Sequence, residues 1–197
     1  KFTRNICCGK GMHFWCFEGI KVSSLSDEQK GRCPLCRAKY PESLEESVKQ
    51  LRPWVEKGKA WAHAMLGNRH YNGVGVEQSY QQARELFELA ARPHARFNLG
   101  LMYARGQGVD QSYERAKEYY EAAARQGEDH AQFNLGALYI TGRGVEQSFE
   151  TARTWWMKSA EQGNEDAIEG LQQIDKLEGR TTPSFTPKPF ECANCYR

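Results

Sequence analysis

Four residues near the amino end have the types and the spacing of zinc ligands. His13 and Cys16 are separated by two residues, and so are Cys33 and Cys36. Two side chains at this spacing can reach one tetrahedral ion from a tight turn, and the 16 residues between the pairs suit a looped zinc module. We therefore expect structural zinc in this segment, with buried or free thiols as the alternative.

The remaining cysteines also lie towards the two ends of the chain. Cys7 and Cys8 are adjacent, and Cys192 and Cys195 form a further Cys-x-x-Cys pair. None of the seven cysteines falls between residues 37 and 191. In a reducing compartment, where cysteines do not form lasting disulfides, paired spacing of this kind favours zinc binding. The pattern predicts Zn²⁺ as the cofactor and a cytoplasmic location.

The charge balance and the apolar runs argue against several functional classes. The chain has 27 basic and 25 acidic residues and a net charge of +2, so neither nucleic acid nor an anionic membrane is expected as the main partner. Its apolar runs are too short to cross a bilayer. The first residues are not signal-like, and the sequence stops two residues after a Cys-x-x-Cys, so we expect a fragment of a longer protein.

The middle of the chain repeats one pattern three times. The pair Leu99-Gly100 recurs 33 residues earlier and 36 residues later, a period typical of helix-pair solenoids. In each copy a first helix, helix A, is predicted to stop at a Gly-x-Gly turn, and a second, helix B, to begin after a serine N-cap. Glycine is unfavourable inside a helix, so a glycine in the middle of helix A predicts close helix packing. The cap serines are Ser79, Ser112 and Ser148, and the mid-helix glycines are Gly67, Gly100 and Gly136.

These residues resemble Sel1-like repeats, which are close relatives of tetratricopeptide repeats. The matching motif is Ala-x-x-x-Leu-Gly-x-x-Tyr-x-x-Gly-x-Gly-Val, and the resemblance covers approximately residues 60 to 177. It implies an all-α fold, a right-handed solenoid of helix-turn-helix repeats, joined here to a small zinc-stabilised amino-terminal module. The connection from Ala90 to His94 is shorter than its counterpart in the second copy, so we expect a tighter turn and a local change of superhelical pitch.

Residues 43–59 are predicted to form a connecting helix that packs on the first repeat. Ser43 and Glu46 have the spacing of a capping box, and Leu44, Val48 and Leu51 form an apolar stripe. Pro53 is expected to kink the helix or restart it.

The other boundaries follow from composition. Residues 1–42 form the zinc module, residues 60–178 hold three repeats and a capping helix, and residues 179–191 are a Pro/Thr-rich extended linker. Residues 192–197 resemble the opening of another zinc finger, for example a MYND finger. A further hypothesis is that Cys192 and Cys195 fold back and share one zinc ion with His13 and Cys16.

The amino-terminal segment also resembles the later three quarters of a RING finger, through Cys-Cys-Gly-Lys-x-x-His-x-x-Cys and Cys-Pro-Leu-Cys-Arg. The resemblance implies two interleaved zinc sites. His13 and Cys16 would belong to the first site, completed by a pair upstream of Lys1. The second site would use Cys7, Cys8, Cys33 and Cys36.

The RING resemblance also implies a protein partner. In ubiquitin-ligating RINGs the zinc loops hold a ubiquitin-conjugating enzyme through apolar contacts, and a basic residue after the last ligand steadies the conjugate. Leu35 matches a contact position and Arg37 matches the basic position. The alternative is that Leu35 packs inside the module and Arg37 is a solvated charge, since a fold does not establish an activity.

Stacked A helices line the concave face of such solenoids, the usual place for an extended peptide. Asn98 and Asn134 hold one equivalent position there. Tetratricopeptide relatives that bind a terminal carboxylate carry asparagine at this position in two successive repeats and lysine one turn earlier. Here Met65 replaces the first asparagine, and Trp61 and His130 stand where the lysines would be, so no carboxylate clamp is expected. Neutral hydrogen bonding to a peptide backbone is the functional interpretation of the asparagines, and simple surface polarity is the alternative.

Aromatic residues at helical spacing are expected to pack between helices, with Phe97 and Phe133 divided between core and groove. His94 and His130 are expected to be helix-start residues without a catalytic role. No nucleophile beside a base is present in the repeats, and the Gly-x-Gly turns follow no strand that would make them phosphate loops.

The sequence supports two candidate functions for this protein. The first is a scaffold in which the repeats bind a peptide or protein and the zinc module recruits another partner. The second is a RING-type ubiquitin ligase that uses the repeats to select its substrate.

Overall fold

The computed structural model describes residues 2–4, 11–13 and 41–185. Near the amino end, strands β1 (Phe2–Arg4) and β2 (Gly11–His13) pair antiparallel, with Phe2 opposite His13. The predicted zinc ligands lie outside the described residues, except for the backbone of His13, as do Leu35 and Arg37. The zinc and RING assignments therefore stay predictions. The ligands concerned are Cys7, Cys8, Cys16, Cys33, Cys36, Cys192 and Cys195.

Eight α-helices follow one another in residues 41–185. The first is α1 (Leu44–Glu56), and the other seven alternate between the A and B helices of the repeats. The A helices are α2 (Ala60–Asn72), α4 (Pro93–Arg105), α6 (Asp129–Thr141) and α8 (Glu165–Glu178). The B helices are α3 (Tyr80–Ala90), α5 (Tyr113–Ala124) and α7 (Phe149–Ala160). The all-α, helix-pair architecture predicted from the period is confirmed.

Helices α2, α4 and α6 each pack on the following B helix through a mid-helix glycine. A Cβ atom added to Gly100 would lie only 2.5 Å from Tyr120 Cε1. Carbon atoms in contact normally lie about 3.5–4.0 Å apart, so nothing larger than hydrogen fits beside the ring. The predicted reason for these glycines is confirmed. The same relation joins Gly67 to Phe87 and Gly136 to Trp156.

A glutamine and a serine close each turn between helix A and helix B. In the second repeat Gln111 Nε2 donates to Ala104 O at 2.8 Å, and Arg115 N donates to Ser112 Oγ at 3.2 Å. The first bond satisfies a carbonyl at the end of α4, and the second satisfies an N–H at the start of α5. The predicted serine caps are confirmed. Gln78 and Gln147 donate to the equivalent carbonyls, and Ser79 and Ser148 cap the equivalent helices.

The turns also contact the preceding B helix. Gly108 approaches Tyr80, the first residue of α3, so closely that a Cβ atom would lie 2.5 Å from Tyr80 Cβ. Gly75 approaches Leu44, the first residue of α1, in the same way, with 2.6 Å from the added Cβ to the Leu44 carbonyl oxygen. Helix α1 therefore takes the place of a helix B that precedes the first helix A.

The sequence register of α1 agrees with this position. Ser43 caps α1 through the N–H of Glu46 at 3.1 Å, and it precedes the cap Ser79 by 36 residues, one full repeat. Leu51 stands eight residues after Ser43, as Phe87 stands eight residues after Ser79, and both are buried. The segment predicted to be only a connecting helix thus continues the solenoid.

Three expectations for α1 need correction. Val48 and Leu51 are buried against α2 as predicted, but Leu44 is 52% exposed, because its carbonyl group meets the turn at Gly75 while its side chain stays outside the apolar cluster. The helix runs through Pro53 to Glu56 and does not restart there. The carboxylate of Glu46 accepts a bond at 2.7 Å from the N–H of residue 42 and not from that of the cap serine.

The connection after α3 is short, as predicted. Residues 91 and 92 alone separate α3 from α4, whereas four residues separate α5 from α6 and α7 from α8. Ala91 adopts a left-handed backbone with φ of 48°, where the longer connections place Gly127 and Gly163 at φ of 86° and 88°. Pro93 begins α4 at a position where a helix needs no N–H donor.

The last described helix packs on the helix before it. Ala167, Leu171 and Ile174 of α8 are buried against α7, so the predicted final A-type helix is present, and its role as a cap stays a prediction. Asp175 is fully buried and accepts from Arg153 Nε at 2.9 Å and from Arg153 Nη2 at 3.4 Å. Beyond α8 the chain is extended through residue 185, and Phe185 packs against the same apolar cluster, so the beginning of the predicted linker lies on the fold.

The face formed by the A helices

The A helices lie side by side and form one face of the solenoid. Asn98 Nδ2 of α4 donates to Asn68 Oδ1 of α2 at 2.9 Å. Helices α4 and α6 meet where the ring of Phe97 stacks on that of His130, with 5.8 Å between centroids. Asn164, the N-cap of α8, lies 3.4 Å from His130 Nδ1. This surface, called the A-helix face below, is the one that the sequence predicts to be concave.

The two asparagines predicted to contact a partner have different surroundings. Asn98 is only 6% exposed, and its bond to Asn68 links two repeats. Asn134 is half-buried and donates to His130 O in its own helix at 2.8 Å. Asn134 therefore retains an accessible polar group, whereas Asn98 is largely occupied by packing. Among the nearby aromatics, Phe97 is buried and Phe133 is half-buried, stacked on Trp156 at 5.7 Å.

Tyr71 fills the A-helix face between α2 and α4. Its hydroxyl donates to Gln107 Oε1 at 2.6 Å, and its ring meets that of Tyr80 edge-on at 5.5 Å. Gln107 Nε2 in turn donates to Tyr80 OH at 3.1 Å. The polar side chains at this joint thus satisfy one another.

Between α4 and α6 the equivalent position holds a much smaller residue. Ala104 stands four residues after its mid-helix glycine, as Tyr71 does in the first repeat. A cleft of about 430 Å³ opens at this joint and is called the α4–α6 cleft. Its apolar lining includes Leu101, Ala104, Ala137 and Leu138, and its polar lining includes Arg105, Tyr113, Asn134 and Arg143.

The α4–α6 cleft carries positive charge. Arg143 Nη1 donates to Tyr113 OH at 3.5 Å, and its guanidinium lies 5.4 Å from the centre of that ring. Arg105 Nη1 donates to Tyr71 OH at 3.4 Å. Both arginines are exposed, and neither forms an ion pair with any carboxylate in the described part of the chain. Burial raises the pKa of Tyr120, which lines the cleft, so this phenol stays neutral and adds no negative charge.

A second cleft, of about 940 Å³, lies where α6 and α8 begin. It is acidic, and His94 and His130 contribute to its lining, each one residue after the first residue of its helix, as predicted. His94 Nδ1 lies 3.3 Å from Glu128 Oε1, and His130 Nε2 lies 3.9 Å from Asp129 Oδ2. Carboxylates near helix N-termini are stabilised by the helix dipole, which accounts for their position. The four carboxylates are those of Glu128, Asp129, Glu165 and Asp166.

Within residues 41–185 and the two strands, no cluster of His, Cys, Asp or Glu side chains is suited to holding a metal ion. In the same residues no helix is long and apolar enough to cross a membrane.

Sequence reasoning missed the contrast between the two joints and the role of the turn glutamines. Both signals are present in the aligned copies. Tyr71, Ala104 and Ile140 occupy one column of the repeat, and Gln78, Gln111 and Gln147 occupy another.

Comparison with known proteins agrees with the repeat architecture. The Sel1 repeat matches residues 62–92, 93–128 and 129–164, together just over half of the chain. A comparison with curated protein sequences gave no match.

Solved structures with the same fold include a Sel1 repeat protein from Oxalobacter formigenes, which is 26% identical with a TM-score of 0.65 over 70% of this chain and 57% of that protein. A protective antigen of uropathogenic Escherichia coli with an SLR fold is 31% identical, with a TM-score of 0.64 over 72% of this chain and 31% of the antigen. Cysteine rich protein B of Helicobacter pylori is 22% identical, with a TM-score of 0.54 over 66% of this chain and 98% of that protein, and shows the fold alone. This chain thus spans less than two thirds of the first two proteins.

The three matched segments begin and end within a few residues of the helix pairs α2–α3, α4–α5 and α6–α7. Each segment carries the glycine-to-aromatic contact that joins its two helices. The chain belongs to the Sel1 repeat family.

Proposed function

We propose that this protein is an interaction scaffold whose A-helix face binds an extended segment of a partner protein. Sel1 repeat proteins are generally scaffolds for protein interactions. The observation that supports the proposal here is the α4–α6 cleft, which combines apolar walls with polar groups on the A-helix face. Binding sites typically have this composition, with a few polar groups that fix the orientation of the ligand.

The geometry of stacked helices favours an extended ligand. Packed helices lie about 8–10 Å apart, and an extended chain advances about 3.3 Å per residue. Three residues of an extended peptide therefore pass from one A helix to the next. A partner segment of about ten residues would cross all three joints between α2, α4, α6 and α8.

The proposal can be tested with a library of random dodecamer peptides displayed on phage and selected on the full chain. The selected peptides are then measured against two matched variants, Ala137→Trp on the A-helix face and Ala122→Trp on helix α5, since both alanines are half-buried. We expect Ala137→Trp to abolish binding and Ala122→Trp to leave it unchanged. Equal effects of the two substitutions, or no selectable peptide, would contradict the proposal.

The zinc module is a second proposal, and it rests on the spacing of His13 and the cysteines and on the resemblance to a RING finger. We propose that it binds Zn²⁺ and recruits a second partner, with a RING-type ubiquitin ligase as the alternative function. Native mass spectrometry of the chain should show bound zinc that Cys33→Ser removes; a metal-free wild-type chain would contradict the proposal. Ubiquitin transfer by the full-length protein, lost on combined Leu35→Ala and Arg37→Ala substitution, would favour the ligase. If no ubiquitin transfer is seen with a broad panel of conjugating enzymes, the scaffold function is favoured over the ligase.

A further inference from the structure

We infer that the α4–α6 cleft binds an acidic side chain of the partner segment, aspartate or glutamate. The inference rests on the proposed function, because it assigns a chemical preference to one position of the same face. Three observations support it. Ala104 stands where the first repeat has the larger Tyr71, Arg105 and Arg143 carry positive charge without an ion pair to any carboxylate of residues 41–185, and the cleft has room for a side chain.

The first argument is a comparison between equivalent joints of the solenoid. At the α2–α4 joint, the phenol of Tyr71 occupies the space and bonds to Gln107 at 2.6 Å. At the α4–α6 joint Ala104 takes the place of Tyr71, and Arg143 stands seven residues after its mid-helix glycine, as Gln107 does. The α4–α6 joint therefore lacks the phenol hydroxyl that fills the α2–α4 joint. A ligand side chain can take its place.

The next joint along the solenoid differs again. Between α6 and α8 the column of Tyr71 and Ala104 holds Ile140, and the position of Asn134 is held by Gly170. Ile140 and Phe133 pack against the apolar cluster around Trp156. An acidic side chain has no charged partner among these residues. The preference is thus confined to one joint.

The second argument is electrostatic. Arg105 and Arg143 both line the cleft, while no carboxylate of residues 41–185 does. Their hydrogen bonds in the structure, at 3.4 Å and 3.5 Å, are long contacts to the hydroxyls of Tyr71 and Tyr113. Each guanidinium has five N–H donors, so most of their donors remain available. A carboxylate is the ligand that pairs best with such a group, because the hydrogen bonds are charge-assisted.

The third argument is shape. The cleft has a volume of about 430 Å³, and its lining includes Leu101, Ala104 and Ala137 together with the two arginines. The methylene groups of a glutamate can lie against these walls while its carboxylate meets the two arginines. Asn134, which donates only within its own helix, can meet the backbone of the same ligand residue.

The test uses the dodecamer library described above, in which the carboxyl end of each peptide is fused to the coat protein. Any acidic group selected is therefore a side chain and not a chain terminus. One pool is selected on the wild-type chain and others on Arg143→Gln, Arg105→Gln and Ala104→Tyr. The last variant reproduces the residue that fills the first joint. The control is Arg125→Gln, an exposed arginine on the connection between α5 and α6.

We expect the wild-type and Arg125→Gln pools to be enriched in aspartate or glutamate at one position, and the other three pools to lose this enrichment. For one selected peptide, exchange of its glutamate for glutamine should weaken binding to the wild-type chain about tenfold, the usual scale of a hydrogen bond to a charged group. The same exchange should have little effect on binding to Arg143→Gln. Added salt should weaken binding of the glutamate peptide more than binding of the glutamine peptide.

Three results would overturn the inference. Peptides could be selected that carry no acidic preference, which would refute the charge argument and leave the proposed function intact. Acidic peptides could bind Ala104→Tyr as well as the wild-type chain, which would place the site elsewhere. A library with free carboxyl ends could succeed where the fused library fails, which would mean that the chain terminus and not a side chain is bound. Failure of every library would remove the proposed function together with the inference.

Discussion

Replacing Gly100 by alanine tests the close contact on which each helix pair depends. In an exposed helix this change would stabilise the protein by about 1 kcal/mol, because alanine is the better helix former. Here the new Cβ would lie 2.5 Å from Tyr120 Cε1 and 2.6 Å from Cδ1. Those distances are about 1 Å short of normal carbon contacts. Tyr120 is 2% exposed and packed within an apolar cluster, so its ring cannot move aside without disturbing its buried neighbours.

The expected result is a net loss of stability. Overpacking in a core costs about 1–3 kcal/mol, and two ring atoms in conflict place this site at the upper end of the range. After subtraction of the gain in helix propensity, Gly100→Ala should lower the free energy of unfolding by about 2 kcal/mol. The melting temperature should fall by about 4–8 °C. Urea denaturation followed by far-UV circular dichroism measures the change.

A double-mutant cycle isolates the contact. Tyr120→Leu removes the ring and should itself destabilise the protein by about 2–3 kcal/mol through the cavity it leaves. In that background, Gly100→Ala should be neutral or stabilising by up to about 1 kcal/mol, because only the propensity gain remains. If Gly100→Ala stabilises the wild-type chain, or costs the same with and without the ring, the packing explanation of the glycine is wrong.

Four further substitutions test three other features. Ala91→Gly should raise the free energy of unfolding by about 0.5–1 kcal/mol, because it relieves a left-handed alanine, and Gly163→Ala should lower it; thermal melts report both. Gln111→Ala should cost about 1 kcal/mol in urea denaturation, because a carbonyl at the end of α4 loses its donor. The hydrogen bond from Arg153 holds the pKa of Asp175 below its usual range, so the ion pair stabilises the fold above about pH 4 and its contribution disappears as pH falls through the lowered folded-state pKa. Asp175→Asn should therefore cost about 2 kcal/mol at pH 7, and its difference in stability from the wild-type chain should shrink as the pH falls through the lowered pKa of Asp175.

The fold could be predicted because three copies of one pattern constrain each other. The helix boundaries followed from Gly-x-Gly turns and cap serines, which satisfy backbone groups locally and so leave a direct mark in the sequence. The glycine in each A helix was informative because it contradicts helix propensity, and only a close neighbour explains such a residue. The shorter first copy likewise predicted the tight connection at Ala91.

The candidate site was harder to predict, because its properties belong to pairs of residues from different repeats. Asn98 and Asn134 occupy one column of the motif, yet one is bonded to Asn68 and the other borders a cleft. The difference depends on the residues opposite them, Asn68 in one joint and Leu101 in the next. Periodicity within a helix does not reveal which side chains meet across a joint. A comparison of the copies, column by column, would have drawn attention to Tyr71 and Ala104.

The role of α1 was missed for a related reason. Its cap, Ser43, stands a full repeat before Ser79, but the residues that precede it carry cysteines and not the Leu-Gly motif. The recognisable motif therefore begins at the first helix A. The apolar stripe was predicted at Val48 and Leu51, where burial follows helical spacing, and failed at Leu44, where a contact through the backbone replaced one through the side chain.

The contact between each Gly-x-Gly turn and the first residue of the preceding B helix has a consequence for how such a protein can change length. Every repeat has a Gly-x-Gly turn that contacts the preceding repeat and a helix start that receives the turn of the next repeat. The boundaries of one repeat are therefore interchangeable with those of its neighbours. A tandem duplication of residues 113–148 would place a new turn on an old helix start without creating an unfamiliar junction. An insertion into a helix pair that is not a whole repeat would separate a turn from its receiving helix. Recombination can therefore extend the A-helix face in steps of one whole repeat while the fold stays the same.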